Sequence, residues 1–271
     1  MKKIAIYPLL LALLTLGSCA LFELDNYDAP EETLRGTVVD AATGNPVFTD
    51  QGSEGIRVRL WELSYHDQEH LNHNPDFWCK PDGTFQNTKL FPGTYKVELD
   101  GPFIPLIRKD PDGLLLADET KTVEVKGVAD MRYEVQPFLK VEFVGTPQVR
   151  NGRVEARVRV TRAVSVEEFR AKVEPTVRRY RNNFTNVTDV QLFVSYSSTV
   201  GYRARDERWS NSILYEDSNF STLLGQAIDI RSQGVIPSGR TVFVRAAARI
   251  NYETVGHRRY NYSEAVEVIV P

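Results

Sequence analysis

The stretch that decides the fold class lies in the second half of the chain and reads Arg153-Val154-Glu155-Ala156-Arg157-Val158-Arg159-Val160-Thr161. Apolar residues alternate with charged or polar ones, which is the period of a β-strand with one buried and one exposed face. Valine holds every apolar position except Ala156, and β-branched side chains favour strands. This stretch predicts a half-buried strand and, with it, a β-sheet protein.

Similar patterns surround that strand. They occur at residues 139–143, 190–195, 241–250 and 266–270. Residues 165–172 are the exception, because Ser165 followed by Glu168 is a helix-start signature and predicts one or two helical turns. Short strands without a long helix predict a β-sandwich of the immunoglobulin or fibronectin-III-like type over residues 139–271.

The first half of the chain shows the same pattern of short predicted strands separated by turns. Strands are predicted at the following residues: 34–40, 56–62, 77–80, 84–85, 90–99, 122–125 and 132–137. Turn signals rich in Gly, Pro, Asn and Asp separate them, as at residues 41–46 and 81–83. We predict a second, antiparallel β-sandwich over residues 33–138, so the fold class is all-β with two sandwich domains.

The N-terminus carries a different signal. Lys2 and Lys3 precede a short apolar run, and Leu16-Gly17-Ser18-Cys19 places small residues directly before a cysteine. A basic start, a short apolar run and small residues at the cleavage site predict a secretory signal peptide over residues 1–18. The apolar run is too short to span a bilayer as a helix. The ending resembles the lipobox of bacterial lipoproteins, which implies that Cys19 is acylated and that residues 19–32 form a lipidated tether. An ordinary signal peptide cut near Ala20 is the alternative.

Several motifs together resemble a known family. Leu34-Arg35-Gly36-Thr37-Val38-Val39-Asp40 and Gly55-Ile56-Arg57-Val58 resemble the opening of transthyretin-like, carboxypeptidase-regulatory-like sandwiches. Lys80-Pro81-Asp82-Gly83-Thr84-Phe85 looks like a later turn and strand of that fold. With Asp25-Asn26-Tyr27-Asp28-Ala29-Pro30 and Gly101-Pro102-Phe103, the chain is similar to the DUF3823 family of Bacteroidota lipoproteins.

That resemblance implies a location and a set of partners. The chain is expected at the outer membrane, lipid-anchored and exposed at the cell surface, beside a SusC/SusD-type nutrient uptake system used in polysaccharide utilization. The leading hypothesis is a nonenzymatic accessory protein that binds oligo- or polysaccharides. Two alternatives stay open: a structural or interaction subunit of the transporter complex, and a lipoprotein that captures peptides.

Composition excludes other function classes. The chain has 271 residues with 33 basic and 36 acidic side chains, a net charge of −3, so nucleic acid is not an expected partner. The densest basic cluster, Arg178-Arg179-Tyr180-Arg181, is interpreted as a solvated edge. If Cys19 is acylated, Cys79 has no partner for a disulfide and is expected to pack as a small hydrophobic residue.

Motifs for catalysis or cofactor binding are weak. His66, His70 and His73 have a spacing that suits a metal on one helical face, but a solvated loop is the favoured interpretation. Asp110-Pro111-Asp112-Gly113 resembles a fragment of a calcium loop and is interpreted as a turn. No nucleophile elbow or phosphate-binding glycine loop appears. We therefore expect no enzyme activity, no catalytic residue and no cofactor.

Aromatic residues among polar ones are the remaining candidates, because sugars stack their C–H faces on flat rings. Trp209 is the preferred candidate platform, with Tyr202 and Tyr215 in the same polar stretch and Trp78 as a further candidate. The alternative for Trp209 is that it anchors a long loop, and the alternative for Trp78 is burial. Trp61, on an alternating strand, is expected in the core.

Overall fold

A computed structural model describes residues 29–64 and 76–271 of the chain. Over these residues the protein is built almost entirely of β-strands, which confirms the predicted all-β class. In the described part no helix is long and apolar enough to cross a membrane. The signal segment, Cys19 and the three clustered histidines lie outside the described residues.

The first module (residues 29–138) has two main sheets and one separate hairpin. Its strands are β1 (Glu32–Asp40), β2 (Arg57–Glu62), β3 (Phe77–Trp78), β4 (Thr84–Leu90), β5 (Gly93–Asp100), β6 (Ile107–Lys109), β7 (Leu115–Asp118), β8 (Lys121–Val125) and β9 (Val128–Val135). One sheet has the order β4-β1-β9, the other β3-β2-β5-β8, and β6 pairs with β7. β1 and β9 run parallel, whereas the other pairs are antiparallel.

The second module (residues 139–271) also has two main sheets. Its strands are β10 (Leu139–Phe143), β11 (Gln148–Arg150), β12 (Arg153–Arg162), β13 (Val187–Ser195), β14 (Asn211–Leu214), β15 (Ala227–Arg231), β16 (Arg240–Ile250), β17 (Asn261–Tyr262) and β18 (Val266–Val270). β12 joins β10, β11 and β15 in one sheet, and β16 joins β13, β17 and β18 in the other, with β14 beyond β13. Short 3-10 helices occupy Gly52–Glu54, Glu174–Thr176, Asn182–Thr185 and Asn219–Leu223.

The predicted helix forms as α1 (Val166–Val173). Ser165 caps it, because its hydroxyl accepts the backbone N–H of Glu168 at 3.0 Å. Glu168 does not complete the reciprocal half of a capping box. Its carboxylate instead accepts the side-chain amide of Gln136 at 2.7 Å, which ties the helix to the end of the first module.

Each module has a core of its own strands, and Ile104 and Phe138 at the end of the first module pack into the second core. The first core holds inward-facing residues of both sheets, including Leu34, Val58, Phe85 and Tyr133. Trp61 does not belong to it, so the expectation of a core position was wrong. On β2 the buried positions are Val58, Leu60 and Glu62, so Trp61 has the opposite parity and its indole N–H donates to Glu98 at 2.8 Å on the outer face.

Arg245 joins the two modules. It lies on β16 and is 1% exposed. Its guanidinium donates to four backbone carbonyls, two of them from the first module: Thr49 at 2.8 Å, Pro81 at 2.9 Å, Ser263 at 2.8 Å and Val200 at 3.3 Å. The ring of Tyr262 lies 4.6 Å away. Burial lowers the pKa of Arg245 to about 10, so it stays charged at neutral pH.

Asp50 makes the complementary connection from the first module. It is fully buried and accepts the Tyr262 hydroxyl at 2.8 Å and the backbone N–H of Arg203 at 3.2 Å. Gly201 must lack a side chain, because a Cβ there would lie 2.7 Å from a carboxylate oxygen of Asp50. A buried ion pair, Arg259 with Asp100 at 2.8 Å, also crosses between the modules.

Replacing Arg245 by methionine is expected to lower the free energy of unfolding by about 2–4 kcal/mol, because several buried carbonyls lose their donor. Urea denaturation followed by tryptophan fluorescence measures this change. Arg240→Met is the matched control, since Arg240 is exposed on the same strand, and it should change stability by less than about 0.5 kcal/mol. Equal effects of the two substitutions would contradict the joining role of Arg245.

An exposed-edge carboxylate gives the fold an acid-sensitive contact. Asp118 on β7 accepts the Lys96 ammonium at 2.7 Å and the backbone N–H of Thr120 at 3.1 Å. Partial burial alone would raise the pKa of Asp118, but hydrogen bonds from Lys96 and Thr120 outweigh it and lower the pKa to about 2.

The stabilisation by Asp118 should therefore be complete above its ordinary pKa of about 3.8 and be lost as the pH falls towards 2. Asp118→Asn should be less stable than the parent chain at pH 5, and the difference should shrink progressively below pH 4. Denaturation at a series of pH values measures it. In a Lys96→Met background, Asp118→Asn should change the free energy of unfolding less than it does in the parent chain. A stability difference between the parent chain and Asp118→Asn that grows as the pH falls would refute the stabilising role of Asp118.

Candidate functional site

Trp78 is an exposed aromatic residue of the first module, and it lies near the junction with the second module. It lies on the short edge strand β3, where Phe77 and Cys79 on either side pack against the first core. Strand parity therefore turns Trp78 outward, and its side chain is 39% exposed. The predicted alternative, burial, does not hold.

A network of charges lies beside Trp78 on the outer face of the sheet. Arg57 is the partner of both Trp78 and Asp100 in the strand register, so the three share one face. The Arg57 guanidinium lies 3.6 Å from Asp76 and 3.8 Å from Glu98. Since Asp100 also holds Arg259 of the second module, this network couples the sheet under Trp78 to the junction.

Trp78 lines an open groove of about 560 Å³ between the modules, here called the junction groove. Its first-module walls are the residues before β2 and the turn after β3, and its second-module wall is Thr199. The walls meet where the side-chain amide of Gln51 donates to the carbonyl of Thr199 at 3.1 Å. The lining residues are Gln51, Gly52, Trp78, Cys79, Lys80, Pro81, Asp82 and Thr199.

The polar groups of the junction groove suit hydrogen bonding to hydroxyl groups. Partial burial would raise the pKa of Asp82, but hydrogen bonds from the hydroxyl and N–H of Thr84, at 2.7 and 2.9 Å, outweigh it and the pKa lies below its ordinary value. Asp82 is thus an acceptor at neutral pH, beside the Lys80 ammonium. Burial raises the pKa of the Cys79 thiol, which makes it a packing group and a poor nucleophile.

Trp209 does not fit the role of a ligand platform. Its side chain is 4% exposed and belongs to the second core. The ring of Tyr196 meets it edge-on at 5.0 Å and the Arg208 guanidinium lies 4.7 Å from its centroid. The polar neighbours that suggested a surface position hold the turn instead, because Asp206 accepts two nitrogens of Arg208. Trp209 therefore anchors its loop to the sandwich, as the alternative interpretation had it.

Tyr202 and Tyr215 lie at opposite ends of β13 and do not form one site. Tyr202, 38% exposed, follows the strand and stacks on Tyr260 with centroids 6.0 Å apart. Tyr215 donates its backbone N–H to the carbonyl of Thr188 at the start of β13, and its ring packs on that of Phe220 with centroids 4.8 Å apart. At ~3.3 Å per residue the two ends of this nine-residue strand are roughly 26 Å apart. Tyr202 is the nearer to the junction groove, because Thr199 precedes it in the same loop.

Metal binding has no candidate in the described ranges, where no group of three or more potential ligands comes together. Asp110-Pro111-Asp112-Gly113 forms the turn of the β6–β7 hairpin, in which Asp110 accepts the N–H groups of Asp112 and Leu114. These hydrogen bonds explain the spacing of the carboxylates without an ion.

The groove residues other than Trp78 were not singled out as site residues from the sequence. Lys80 and Asp82 lie at a predicted turn, but nothing local indicates that Thr199 lines the same groove from more than a hundred residues away. The available signal was parity: in Phe77-Trp78-Cys79 the outer two residues are inward-facing, so the tryptophan between them faces out.

The fold and the junction groove define a class: a two-module β-sandwich protein with an aromatic, polar-rimmed groove between the modules. Residues 32–136 match the family described as "Protein of unknown function (DUF3823) N-terminal domain". A crystal structure of a DUF3823 family protein from Bacteroides uniformis ATCC 8492 is 60% identical, covers 89% of this chain and 100% of its own, and has a TM-score of 0.86. The chain therefore belongs to the DUF3823 family.

More distant structures share the fold. A proposed carbohydrate binding protein from Bacteroides uniformis ATCC 8492 is 16% identical, with a TM-score of 0.62 over 89% of this chain and 100% of its own. A DUF3823 family protein from Parabacteroides merdae ATCC 43184 is 18% identical, with a TM-score of 0.57 over the same shares. No functionally curated protein matches the sequence.

Proposed function

We propose that this chain is a nonenzymatic lipoprotein of the cell surface that captures oligo- or polysaccharides in the junction groove. It would serve as an accessory component of a SusC/SusD-type outer-membrane uptake system. The observation that carries the proposal is the exposed Trp78 in a groove that Gln51, Lys80, Asp82 and Thr199 also line.

The chemistry of these side chains supports a sugar. A pyranose offers an apolar C–H face that stacks on an indole, and a rim of hydroxyl groups that needs both donors and acceptors. The groove supplies both, because Lys80 donates, the ionised Asp82 accepts, and the Gln51 amide and Thr199 hydroxyl do either.

A structural neighbour points in the same direction. The 16% identical protein described as a proposed carbohydrate binding protein has the same two-module fold over the whole of its chain. Fold similarity by itself does not transfer a ligand. The neighbour therefore supports the class of function, while the assignment to the junction groove rests on Trp78 and its neighbours in this chain.

Acylation at Cys19 completes the proposal. A lipid anchor would hold the groove beside the transporter, where a captured glycan meets the importer at a high effective concentration. Weak binding in an open groove is then sufficient, because the tether supplies proximity.

Trp78→Ala should weaken glycan binding about tenfold or more, since the stacking surface is lost. A glycan array identifies a bound oligosaccharide, and titration calorimetry with that oligosaccharide measures the change in Kd. Trp78→Tyr should retain most of the affinity because it keeps an aromatic face.

Phe91→Ala is the matched control, because Phe91 is 40% exposed in the same module at the other end of β5. It should leave the Kd unchanged. Unaltered binding in Trp78→Ala would exclude the junction groove. If the chain binds no glycan but co-purifies with the transporter, the result would favour a structural or interaction subunit. If it binds peptides, the result would favour a peptide-capturing lipoprotein. Hydrolysis of the oligosaccharide would contradict a nonenzymatic role.

Cys19→Ser should move the protein out of the membrane fraction, because no acyl chain can be attached. Cell fractionation with metabolic labelling by a palmitate analogue measures both location and acylation. Cys79→Ala is the control, since that thiol is buried and should not be labelled. Retention of the label in Cys19→Ser would show that acylation lies elsewhere.

A further inference from the structure

The β6–β7 hairpin presents a run of leucines that the first core does not use. Leu114, Leu115 and Leu116 are 68%, 52% and 45% exposed. Leu114 ends the turn and the other two begin β7. Three consecutive exposed leucines mean that β7 meets solvent on both of its faces at this end, since neighbouring strand residues point to opposite faces. The turn and the start of β7 therefore form an apolar tip, while β6 lies against the second module near Thr176.

The tip is held in shape and fixed at its base. Asp110 accepts the backbone N–H groups of Asp112 and Leu114, at 3.0 and 2.8 Å, which fixes the turn. At the base, the nearly buried Arg108 donates to the carbonyl of Pro105 at 2.8 Å and is paired with Glu119. Asp118 holds Lys96 of β5. An ordered tip loses little conformational entropy when it is buried.

A basic cluster lies beside the tip. Arg178 of the second module reaches Asp112 in the hairpin turn at 3.5 Å. Arg178, Arg179 and Arg181 are all exposed, as is Lys109 on β6. Against these four positive charges stand Asp110 and Asp112 in the turn, while nearby Glu174 is paired with Arg170. The exposed charges of the hairpin turn, Lys109 and the adjoining segment 178–181, here called the basic collar, are therefore net positive.

We propose that this hairpin tip docks on an anionic membrane surface, with the leucines in the interfacial region and the arginines at the headgroups. Apolar side chains ringed by cations are the features that bind such a surface. A protein partner is less suitable, because a tip of three leucines offers little of the roughly 800 Å² per partner that a stable interface buries. Docking does not depend on glycan binding in the junction groove.

Site-specific fluorescence tests the proposal on the full chain. An environment-sensitive NBD probe is placed on Leu115→Cys in a Cys19→Ser background, where the buried Cys79 does not react with the label. Leu214→Cys, 74% exposed on β14 of the second module, is the matched control. Both variants share the same N-terminal segment, so any membrane attachment by that segment is common to them.

With vesicles of phosphatidylcholine and phosphatidylglycerol, the probe at residue 115 should shift to the blue and brighten severalfold, while the probe at residue 214 stays in water. The shift should be lost on pure phosphatidylcholine vesicles or at 1 M salt. In a second arm on the unlabelled chain, Leu114→Ser with Leu116→Ser should weaken vesicle binding at least about tenfold relative to Leu214→Ser. Arg178→Glu with Arg179→Glu should weaken it on anionic vesicles only.

Three outcomes would overturn docking by the hairpin. A probe at residue 115 that stays aqueous on both kinds of vesicle leaves a protein as the occupant of the tip. Equal shifts at residues 115 and 214 indicate unspecific adsorption. A shift on neutral vesicles that the arginine substitutions do not change removes the role of the basic collar.

Discussion

The buried guanidinium of Arg245 is the contact on which the arrangement of the two modules depends. A cation with 1% exposure and no carboxylate within its hydrogen-bond set is held by carbonyl dipoles and the face of Tyr262. Its donors are directional, and two of the acceptors belong to the first module, so the relative position of the modules is specified by geometry. Apolar contacts alone would allow the surfaces to slide.

The junction groove follows from that constraint. The carbonyl of Pro81 that Arg245 binds belongs to the turn that carries Lys80 and Asp82, and the carbonyl of Val200 follows Thr199 directly. One side chain thus fixes both walls of the groove. Asp50 and Gly201 form a second close contact between the modules. The carboxylate of Asp50, from the first module, fits against the second module only because Gly201 has no Cβ.

Strands and cores followed from the sequence because alternation is a local property. Residues 153–161, the cap at Ser165 and the buried Cys79 lie where their patterns predicted. The positions at the junction of the modules depend on distant partners instead. On β16 the outward parity of Arg245 suggests a solvated residue, yet the outer face of that strand is covered by Phe193, Tyr260 and Tyr262 and by Phe48 of the first module. Sequence alternation predicts on which face of a sheet a side chain lies, but only the tertiary fold shows what covers that face.

The two tryptophans Trp78 and Trp209 show the same distinction. Polarity of the neighbouring sequence favoured Trp209, but Asp206 and Arg208 satisfy each other at the surface while the indole turns into the core. Trp78 stands among apolar residues that face inward, and so faces out. A ligand bound on Trp78 would touch Lys80 and Asp82 of one module and Thr199 of the other. Binding energy in the groove would therefore also stabilise the junction, since a ligand that favours one arrangement shifts the equilibrium towards it. Ligand binding in a groove between the two modules would thus be coupled to the stability of their junction.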